Sequence, residues 1–159
     1  MSSDREFMLL ALAEARKAFD AGEVPIGTVA VRDGEVVASA CNQVEAINSV
    51  TGHAEIALLR KLEALYHDWR ISEVTVYVTK EPCPMCAGML LNSRVKRLVF
   101  GVGDPGCGGC GGAFDVNALP GALWHFEITG NVCGDEAKEL LQNFFRKRRK
   151  EAQADKHKG

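Results

Sequence analysis

The stretch EPCPMCAG, residues 81–88, contains two cysteines separated by two residues, Cys83 and Cys86, together with two prolines. Because proline suits the first turn of a helix, we predict a short helix that starts near Pro84 and carries the cysteines at its N-terminal end. A Cys-x-x-Cys step can be a redox dithiol, half of a structural metal site or part of a catalytic metal site. The residues around it have to distinguish these three interpretations.

A catalytic zinc site needs three protein ligands and a fourth position left open. His53, in the stretch TGHAEIALL at residues 51–59, is the best candidate for the third ligand beside Cys83 and Cys86. It too lies at the predicted start of a helix, where the partial positive charge favours thiolates and carboxylates. Glu55 follows two residues later, and we expect it to lie beside the metal and to accept a proton there.

A second interpretation uses four cysteines. Cys107 and Cys110 form another Cys-x-x-Cys step, separated from Cys86 by 20 intervening residues, which fits the spacing of a structural zinc site. That arrangement would leave His53 and Glu55 without a role and would require a helix and a strand to serve as a zinc-binding loop. We therefore favour the histidine and the first cysteine pair as the metal ligands. A redox dithiol is disfavoured because no thioredoxin-like context surrounds the cysteines.

The remaining patterns predict alternating helices and strands. A Ser3-x-x-Glu6 capping box begins a first helix, and Asp33-Gly34 forms the turn of a hairpin. The glycine-rich stretch GVGDPGCGGCGG, residues 101–112, is predicted to be a loop, with a short helix possible after it. Further predictions are helices over 54–66 and 135–150, the last with Phe144 and Phe145 facing inward, and strands over 73–79, 94–101 and 125–129.

Length and composition favour one globular domain. The chain has 159 residues, of which 47% are hydrophobic and 25% charged. We assign residues 1–151 to this domain and expect 152–159 to be a disordered tail.

Charge is unevenly distributed along the chain. Net charge is −2, but residues 146–159 carry seven Lys/Arg against two Asp/Glu, a local charge of +5 that leaves −7 on the rest. This basic end favours contact with a polyanion, and the predicted RNA phosphate contacts are Arg146, Lys147, Arg148, Arg149 and Lys150.

The sequence predicts no membrane association. It contains no run of 18 apolar residues, and its first residues read as a helix start rather than a signal peptide. We therefore expect a cytoplasmic protein. In that compartment its six cysteines would be thiols or metal ligands rather than disulfides, and Cys41 and Cys133 are expected to be buried thiols.

Several stretches together resemble the bacterial tRNA-specific adenosine deaminases, members of the zinc-dependent, cytidine-deaminase-like superfamily. The resemblance covers about residues 6–150, and the pattern His53-Ala-Glu55 followed by Pro82-Cys83-x-x-Cys86 is that of the zinc nucleobase deaminases. The other similar stretches are GEVPIG at 22–27, HAEIALLRK at 53–61, EPCPMCAGMLLNSRVKRLVFG at 81–101, Asp104 and LLQNFFRKRR at 140–149.

The resemblance implies a fold and a set of functional residues. The fold would be an α/β class, three-layer α/β/α sandwich with a mixed five-stranded sheet, assembled as a homodimer. One Zn²⁺ per chain would be held by His53, Cys83 and Cys86, and Glu55 would be the proton shuttle. By the same resemblance, Asn42 would lie in the base pocket and Asp104 near the sugar of the target nucleotide.

The function implied is hydrolytic conversion of adenosine to inosine at the wobble position of a tRNA anticodon stem-loop. Two alternatives stay open at the level of sequence. The first is a deaminase of a free base or nucleoside, of the cytosine or guanine type, which would not need a basic C-terminal helix. The second is a structural zinc module without catalysis, in which Glu55 would be dispensable.

Overall fold

The chain folds around a five-stranded mixed sheet with the strand order β2-β1-β3-β4-β5, in a computed structural model that describes residues 3–159. Strand β1 pairs antiparallel with β2 and β3, whereas β3, β4 and β5 are parallel to one another. The strands are β1 (Gly27–Arg32), β2 (Glu35–Cys41), β3 (Thr75–Lys80), β4 (Arg97–Val102) and β5 (Glu127–Thr129).

Helices cover both faces of this sheet. They are α1 (Asp4–Asp20), α2 (Val44–Ile47), α3 (Ala54–Tyr66), α4 (Pro84–Asn92) and α5 (Gly134–Lys156), with a 3-10 turn at Val116–Ala118. On one face, α1 and α5 pack against the sheet through buried residues that include Met8, Leu12, Val29, Val99 and Ala137. On the other face, α3 and α4 do so through a second cluster, which includes Leu58, Leu62, Val76, Leu90 and Leu98. The predicted α/β/α sandwich with a mixed five-stranded sheet is confirmed.

Most predicted elements are present, with shifted ends. Helix α3 has the predicted bounds, and the capping box is formed, with Glu6 N donating to Ser3 Oγ at 3.3 Å and Ser3 N donating to Glu6 Oε2 at 3.1 Å. Helix α5 runs six residues beyond its predicted end at 150. The division of the chain into a domain over 1–151 and a tail over 152–159 stays a prediction. None of the helices over residues 3–159 is both long enough and apolar enough to cross a membrane.

Two predictions about individual features were wrong, and one helix was not predicted. Helix α2 was not predicted, because its four residues show no apolar periodicity. Phe145 is 45% exposed rather than inward, although Phe144 is buried as expected. The Cys41 thiol is only partly buried, whereas Cys133 is buried. Tertiary contacts near the end of α5 decide which of two adjacent phenylalanines enters the core, and the helical pattern alone does not resolve this.

The sheet brings several chain segments to one edge. Cys41 at the end of β2 pairs with Gly27 at the start of β1, and Lys80 at the end of β3 pairs with Val102 at the end of β4. The segments that follow β2, β3 and β4 therefore leave the sheet at the same edge. In open α/β sheets, the crevice outside the carboxyl ends of the strands is the usual place for a ligand.

Candidate metal centre and base pocket

Three predicted metal ligands meet at this edge. Nδ1 of His53 lies 3.6 Å from Sγ of Cys83 and 3.4 Å from Sγ of Cys86. Their ligand atoms all lie within 4.8 Å of one another, and within residues 3–159 this is the one group of three or more His, Cys, Asp or Glu side chains with such geometry. The structure thus brings together the three residues predicted from the sequence.

The donor set fits zinc. For Zn–S of about 2.3 Å and Zn–N of about 2.0–2.1 Å, tetrahedral coordination requires an N···S separation of about 3.6 Å. The two separations measured from Nδ1 of His53, 3.6 and 3.4 Å, agree with this value. Two thiolates and one imidazole are also a ligand combination typical of zinc, and three protein ligands leave a coordination position for water.

Local helix geometry explains why these residues converge. His53 is the N-cap of α3 and Cys83 is the N-cap of α4, with Pro84 in the first turn as predicted. Both ligands therefore lie at the positive end of a helix dipole. A hydrogen bond from Cys86 and backbone N–H groups, helped by His53, lowers the pKa of Cys83 to about 5, against the effect of burial. The pKa of Cys86 is raised by its hydrogen bond to Cys83 and by burial.

The second cysteine pair is not part of this group. Cys107 is exposed and Cys110 is buried, and neither joins a metal-ligand cluster in the part of the chain that the structure describes. The four-cysteine interpretation therefore lacks a geometric basis. Cys110 instead lies in a dry environment, and burial raises its pKa to about 12.

Glu55 lies in the first turn of α3 and is only 5% exposed. Burial raises the pKa of its carboxyl group above the ordinary range, although its own backbone N–H and the neighbouring Cys86 act in the opposite direction. A carboxyl group with a raised pKa can both accept and return a proton near neutral pH. Glu55, buried beside the predicted metal ligands, is therefore suited to transfer protons in the cavity.

A cavity of about 610 Å³ reaches two of the predicted metal ligands, His53 and Cys83. His53, Glu55 and Cys83 line it together with the predicted base-pocket residue Asn42 and the predicted sugar-contacting residue Asp104. The other lining residues are Gly22, Glu23, Val24, Ile26, Val44, Glu45, Ala54, Lys80, Glu81, Phe144, Phe145 and Arg148. This volume, with apolar walls and a few polar groups, is typical of a small-molecule or base pocket.

Asn42 follows β2 directly and is 6% exposed. Its Nδ2 donates to the carbonyl oxygen of Val24 at 3.2 Å. Its Oδ1 is buried and has no hydrogen-bond partner among residues 3–159. A buried acceptor without a partner destabilises the protein until a donor reaches it, so this oxygen is suited to receive an N–H or O–H group of a bound molecule.

Asp104 lies after β4 at the rim of the cavity. Its Oδ1 accepts hydrogen bonds from Gly106 N at 3.0 Å and Cys107 N at 3.1 Å, and its Oδ2 lies 3.3 Å from Nζ of Lys80. Although burial acts in the opposite direction, these hydrogen bonds and Lys80 lower the pKa of Asp104. The carboxylate is thus held ionised at the mouth of the cavity.

The five basic residues near the end of α5 are all exposed, but they differ in their contacts. Arg148 lines the cavity, donates to the carbonyl oxygen of Gly22, and lies 5.1 Å from the ring of Phe144. Lys147 lies over the ring of Phe19, at 5.5 Å. Arg146 donates to Oδ1 of Asn143 at 3.0 Å. Of the five, Arg148 is the residue that the structure brings to the cavity.

Four charged residues that line the cavity were not predicted from the sequence: Glu23, Glu45, Lys80 and Glu81. Glu23 and Glu81 are buried, at 3% and 4% exposure, and Lys80 is partly exposed. Both glutamates accept hydrogen bonds from backbone N–H groups far along the chain. Glu81 is adjacent to the Pro-Cys-x-x-Cys motif, but nothing in the sequence indicates that its partners lie some 20 to 30 residues later. Such non-local partners are visible only in the fold.

The sequence of this chain is similar to those of known deaminases. A model of the MafB19-like deaminase family matches residues 1–149. The tRNA-specific adenosine deaminase of Bacillus subtilis (strain 168) is 40% identical over 156 residues, which are 97% of this chain and 96% of that protein. The tRNA-specific adenosine deaminase of Agrobacterium fabrum is 39% identical over 94% of this chain and 98% of its own length.

The fold of this chain is similar to those of solved deaminase structures. One, from work on A-to-I editing by tRNA:A34 deaminases at the wobble position of transfer RNA, superposes with a TM-score of 0.79 at 37% identity and covers 85% of this chain and 98% of that one. A guanine deaminase from Nitrosomonas europaea gives a TM-score of 0.77 over 91% of this chain and 85% of its own, but at 22% identity this likeness shows the fold alone. The chain therefore belongs to the family of tRNA-specific adenosine deaminases.

Proposed function

We propose that this protein is a zinc-dependent hydrolase that converts adenosine to inosine at the wobble position of a tRNA anticodon. The observation that carries the proposal is the convergence of a buried glutamate, a His-Cys-Cys ligand group and an unpartnered asparagine oxygen in one cavity. Relatives at 39–40% identity over nearly the whole chain are named tRNA-specific adenosine deaminases.

In this proposal His53, Cys83 and Cys86 hold one zinc ion per chain. When bound, zinc acidifies a water molecule so that it becomes nucleophilic near neutral pH. Glu55 would take one proton from the attacking water and deliver it to N1 of adenine as the C6–O bond forms. It would then take the second proton, from the new hydroxyl group on C6, and pass it to the amino group as the C6–N bond breaks. Water and adenosine thus give inosine and ammonia. The raised pKa of Glu55 suits this double role, because the group must be both a base and an acid in one turnover.

The chain's other cavity residues are proposed to hold the nucleotide. The Asn42 oxygen accepts a hydrogen bond from the bound base, which removes the cost of leaving that buried acceptor without a partner. Apolar side chains of Val24, Ile26 and Val44 enclose the base. Asp104 at the rim is proposed to contact the ribose, whose 2′-OH distinguishes RNA from DNA.

A base can enter this cavity only when it is unstacked or flipped out of a helix. Anticodon loops present such bases, whereas a continuous helix does not. We therefore expect inosine in an RNA anticodon stem-loop with adenosine at the wobble position. A fully paired RNA of the same composition should be inert, and the matching DNA hairpin should react far more slowly. Free adenosine should fail as well, since it lacks the flanking nucleotides whose binding energy positions the base.

The measurement is inosine content after nuclease digestion and chromatography, run on these four substrates in parallel with ammonia release from free guanine and cytosine. Conversion of the stem-loop alone supports the proposal. Ammonia release from guanine or cytosine with an unreacted stem-loop would identify the protein as a free-base deaminase and overturn the tRNA assignment.

The basic end of α5 is proposed to contact RNA phosphates. Of its five basic residues, Arg148 lines the cavity. Successive helix residues are about 100° apart, so five consecutive basic residues point all around the helix. Arg148 lies one turn after the cavity-lining Phe144, whereas Arg146 and Lys150, each two residues away from Arg148, lie on the opposite side of the helix.

Replacing Arg148 with Gln should weaken binding of the stem-loop and reduce the slope of log K against log salt by roughly 0.7–0.9 for the lost contact. The matched control, Arg146→Gln, removes the same charge from the opposite side of the helix and should change the slope less. Binding titrations at several salt concentrations measure both variants. Equal slopes for the two variants would show that only net charge matters here.

Large apolar side chains are exposed on one part of the surface. A homodimer is proposed because Trp69 and Leu123 expose large apolar surfaces. The guanidinium of Arg94 lies 5.6 Å from the Trp69 ring and 5.9 Å from the Trp124 ring, which places these groups on one patch. Size-exclusion chromatography with light scattering should give twice the chain mass.

A cytoplasmic location is supported by free thiols at all six cysteines over residues 3–159.

A further inference from the structure

One buried acid of the cavity has no role in the proposed reaction. Glu81 is 4% exposed and lies between the end of β3 and the metal ligand Cys83. It faces the glycine-rich segment of residues 103–112, named here the rim loop, which carries Asp104. Buried carboxyl groups are destabilising unless their oxygens accept hydrogen bonds, so the partners of Glu81 indicate what it does.

All three partners are backbone N–H groups of the rim loop. Oε1 of Glu81 accepts from Asp104 N at 2.9 Å. Oε2 accepts from Cys110 N at 3.0 Å and from Gly112 N at 2.9 Å. One side chain therefore fastens both ends of the loop to the segment that carries the metal ligands. Hydrogen bonds to a carboxylate are stronger than those between neutral groups, so this is a firm attachment.

The same contact explains the glycines of the rim loop. A Cβ atom on Gly108 would overlap the carboxyl group of Glu81, which supplies all three of the nearest atoms. A Cβ atom on Gly112 would overlap the carbonyl oxygen of Asp104 and approach both Glu81 oxygens. Neither glycine has a positive φ angle, so close approach to the carboxyl group, and not backbone conformation, excludes a side chain. The loop backbone is thus fitted around this carboxyl group.

We propose that Glu81 is a positioning residue that sets the conformation of the rim loop and acts on substrate binding through Asp104. The proposal rests on the proposed function for the identity of the substrate. Glu81 holds the backbone N–H of Asp104, while Gly106, Cys107 and Lys80 hold its carboxylate. The orientation of the Asp104 carboxylate therefore depends both on contacts to its backbone and on contacts to its side chain. Loss of Glu81 removes the backbone contact.

The first test is the variant Glu81→Gln. An amide has one acceptor oxygen and one NH₂ group, so it cannot accept at both ends of the loop, and at least one N–H group loses its partner. We expect KM for the stem-loop to rise roughly tenfold to a hundredfold, the cost typical of losing a hydrogen bond to a charged group. The kcat and the zinc content should be unchanged, because Asp104 contacts the nucleotide away from the reacting carbon. A fall in kcat at constant KM would overturn the proposal.

The second test needs no substrate. Hydrogen exchange, followed residue by residue, should show the amides of Asp104, Cys110 and Gly112 protected in the native protein and, at one end of the loop at least, unprotected in Glu81→Gln. The amides of Gly109 and Val116, whose partners are the carbonyl oxygens of Pro82 and Gly109, serve as internal controls. If the three loop amides stayed protected in the variant, Glu81 would not be what holds the loop.

The third test uses the glycines. Gly108→Ala should lower the melting temperature of the native protein but not that of a Glu81→Ala protein, because the overlapping carboxyl group is then absent. Gly106→Ala is the matched control, since the nearest atom to its Cβ would be Oδ1 of Asp104 at an ordinary 3.5 Å. Additive effects of Gly108→Ala and Glu81→Ala would contradict the proposed contact. A native protein that fails to convert the stem-loop would refute the proposed function alone, because exchange and melting still decide the role of Glu81.

Discussion

Replacing Glu55 with Ala or Gln is expected to abolish nearly all turnover while leaving the protein folded and loaded with zinc. General acid–base catalysis by one positioned group is typically worth about 10²–10⁴-fold, and Glu55 is proposed to move every proton of the reaction. Gln keeps the size of the side chain but cannot accept the proton, so both variants should lose activity. Initial rates of inosine formation, with zinc content measured on the same samples, test this prediction.

Stability offers a second measure on the same variants. Burial raises the pKa of Glu55, which means that the folded protein disfavours the ionised carboxylate. In the zinc-free protein, removing the group should therefore leave the melting temperature unchanged or raise it, as is common where function is maintained at a cost in stability. Glu63→Ala, in the same helix but outside the cavity, is the control and should keep full activity. A Glu55 variant that retained most of its activity would remove this residue from the mechanism.

The variant His53→Ala should lose its zinc and, with it, its activity. Three protein ligands are the minimum for a catalytic zinc site, and two thiolates alone leave the ion weakly held and open to solvent. Elemental analysis after dialysis should find about one zinc per native chain and far less in the variant. The double variant Cys107→Ser with Cys110→Ser should keep its zinc, since these cysteines lie outside the ligand group. Loss of zinc from the double variant and its retention in His53→Ala would reverse the assignment of ligands.

Local patterns were sufficient to predict most of the fold. Helix α3 was predicted with its observed ends because an apolar stripe and a clear N-terminal motif coincide there. Strand β5 is only three residues long, and its predicted start at 125 lies two residues too early because alternation over so short a stretch defines no boundary. Helix α2 was missed since its N-terminal N–H groups at Glu45 and Ala46 are capped by Glu23, which lies more than 20 residues earlier.

The candidate site divides in the same way. His53, Glu55, Cys83 and Cys86 were predicted because zinc chemistry restricts both residue type and spacing, and the structure brings the three ligand side chains within contact distance. The surrounding residues are another matter. Glu81, like Glu23, forms its hydrogen bonds with a segment distant in sequence, and the glycines that accommodate it resemble an ordinary flexible loop until the carboxyl group is seen beneath them.

The most direct test of the central claim is to incubate the purified protein with a full-length bacterial tRNA pool and to sequence the products. Inosine pairs as guanosine does, so reverse transcription converts each edited adenosine into an apparent A-to-G change. We predict changes at the wobble position of tRNAs with adenosine there, dependent on Glu55 and on bound zinc, and none within the paired stems. An unchanged tRNA pool, treated with protein that contains zinc and releases ammonia from free guanine or cytosine, would contradict the account.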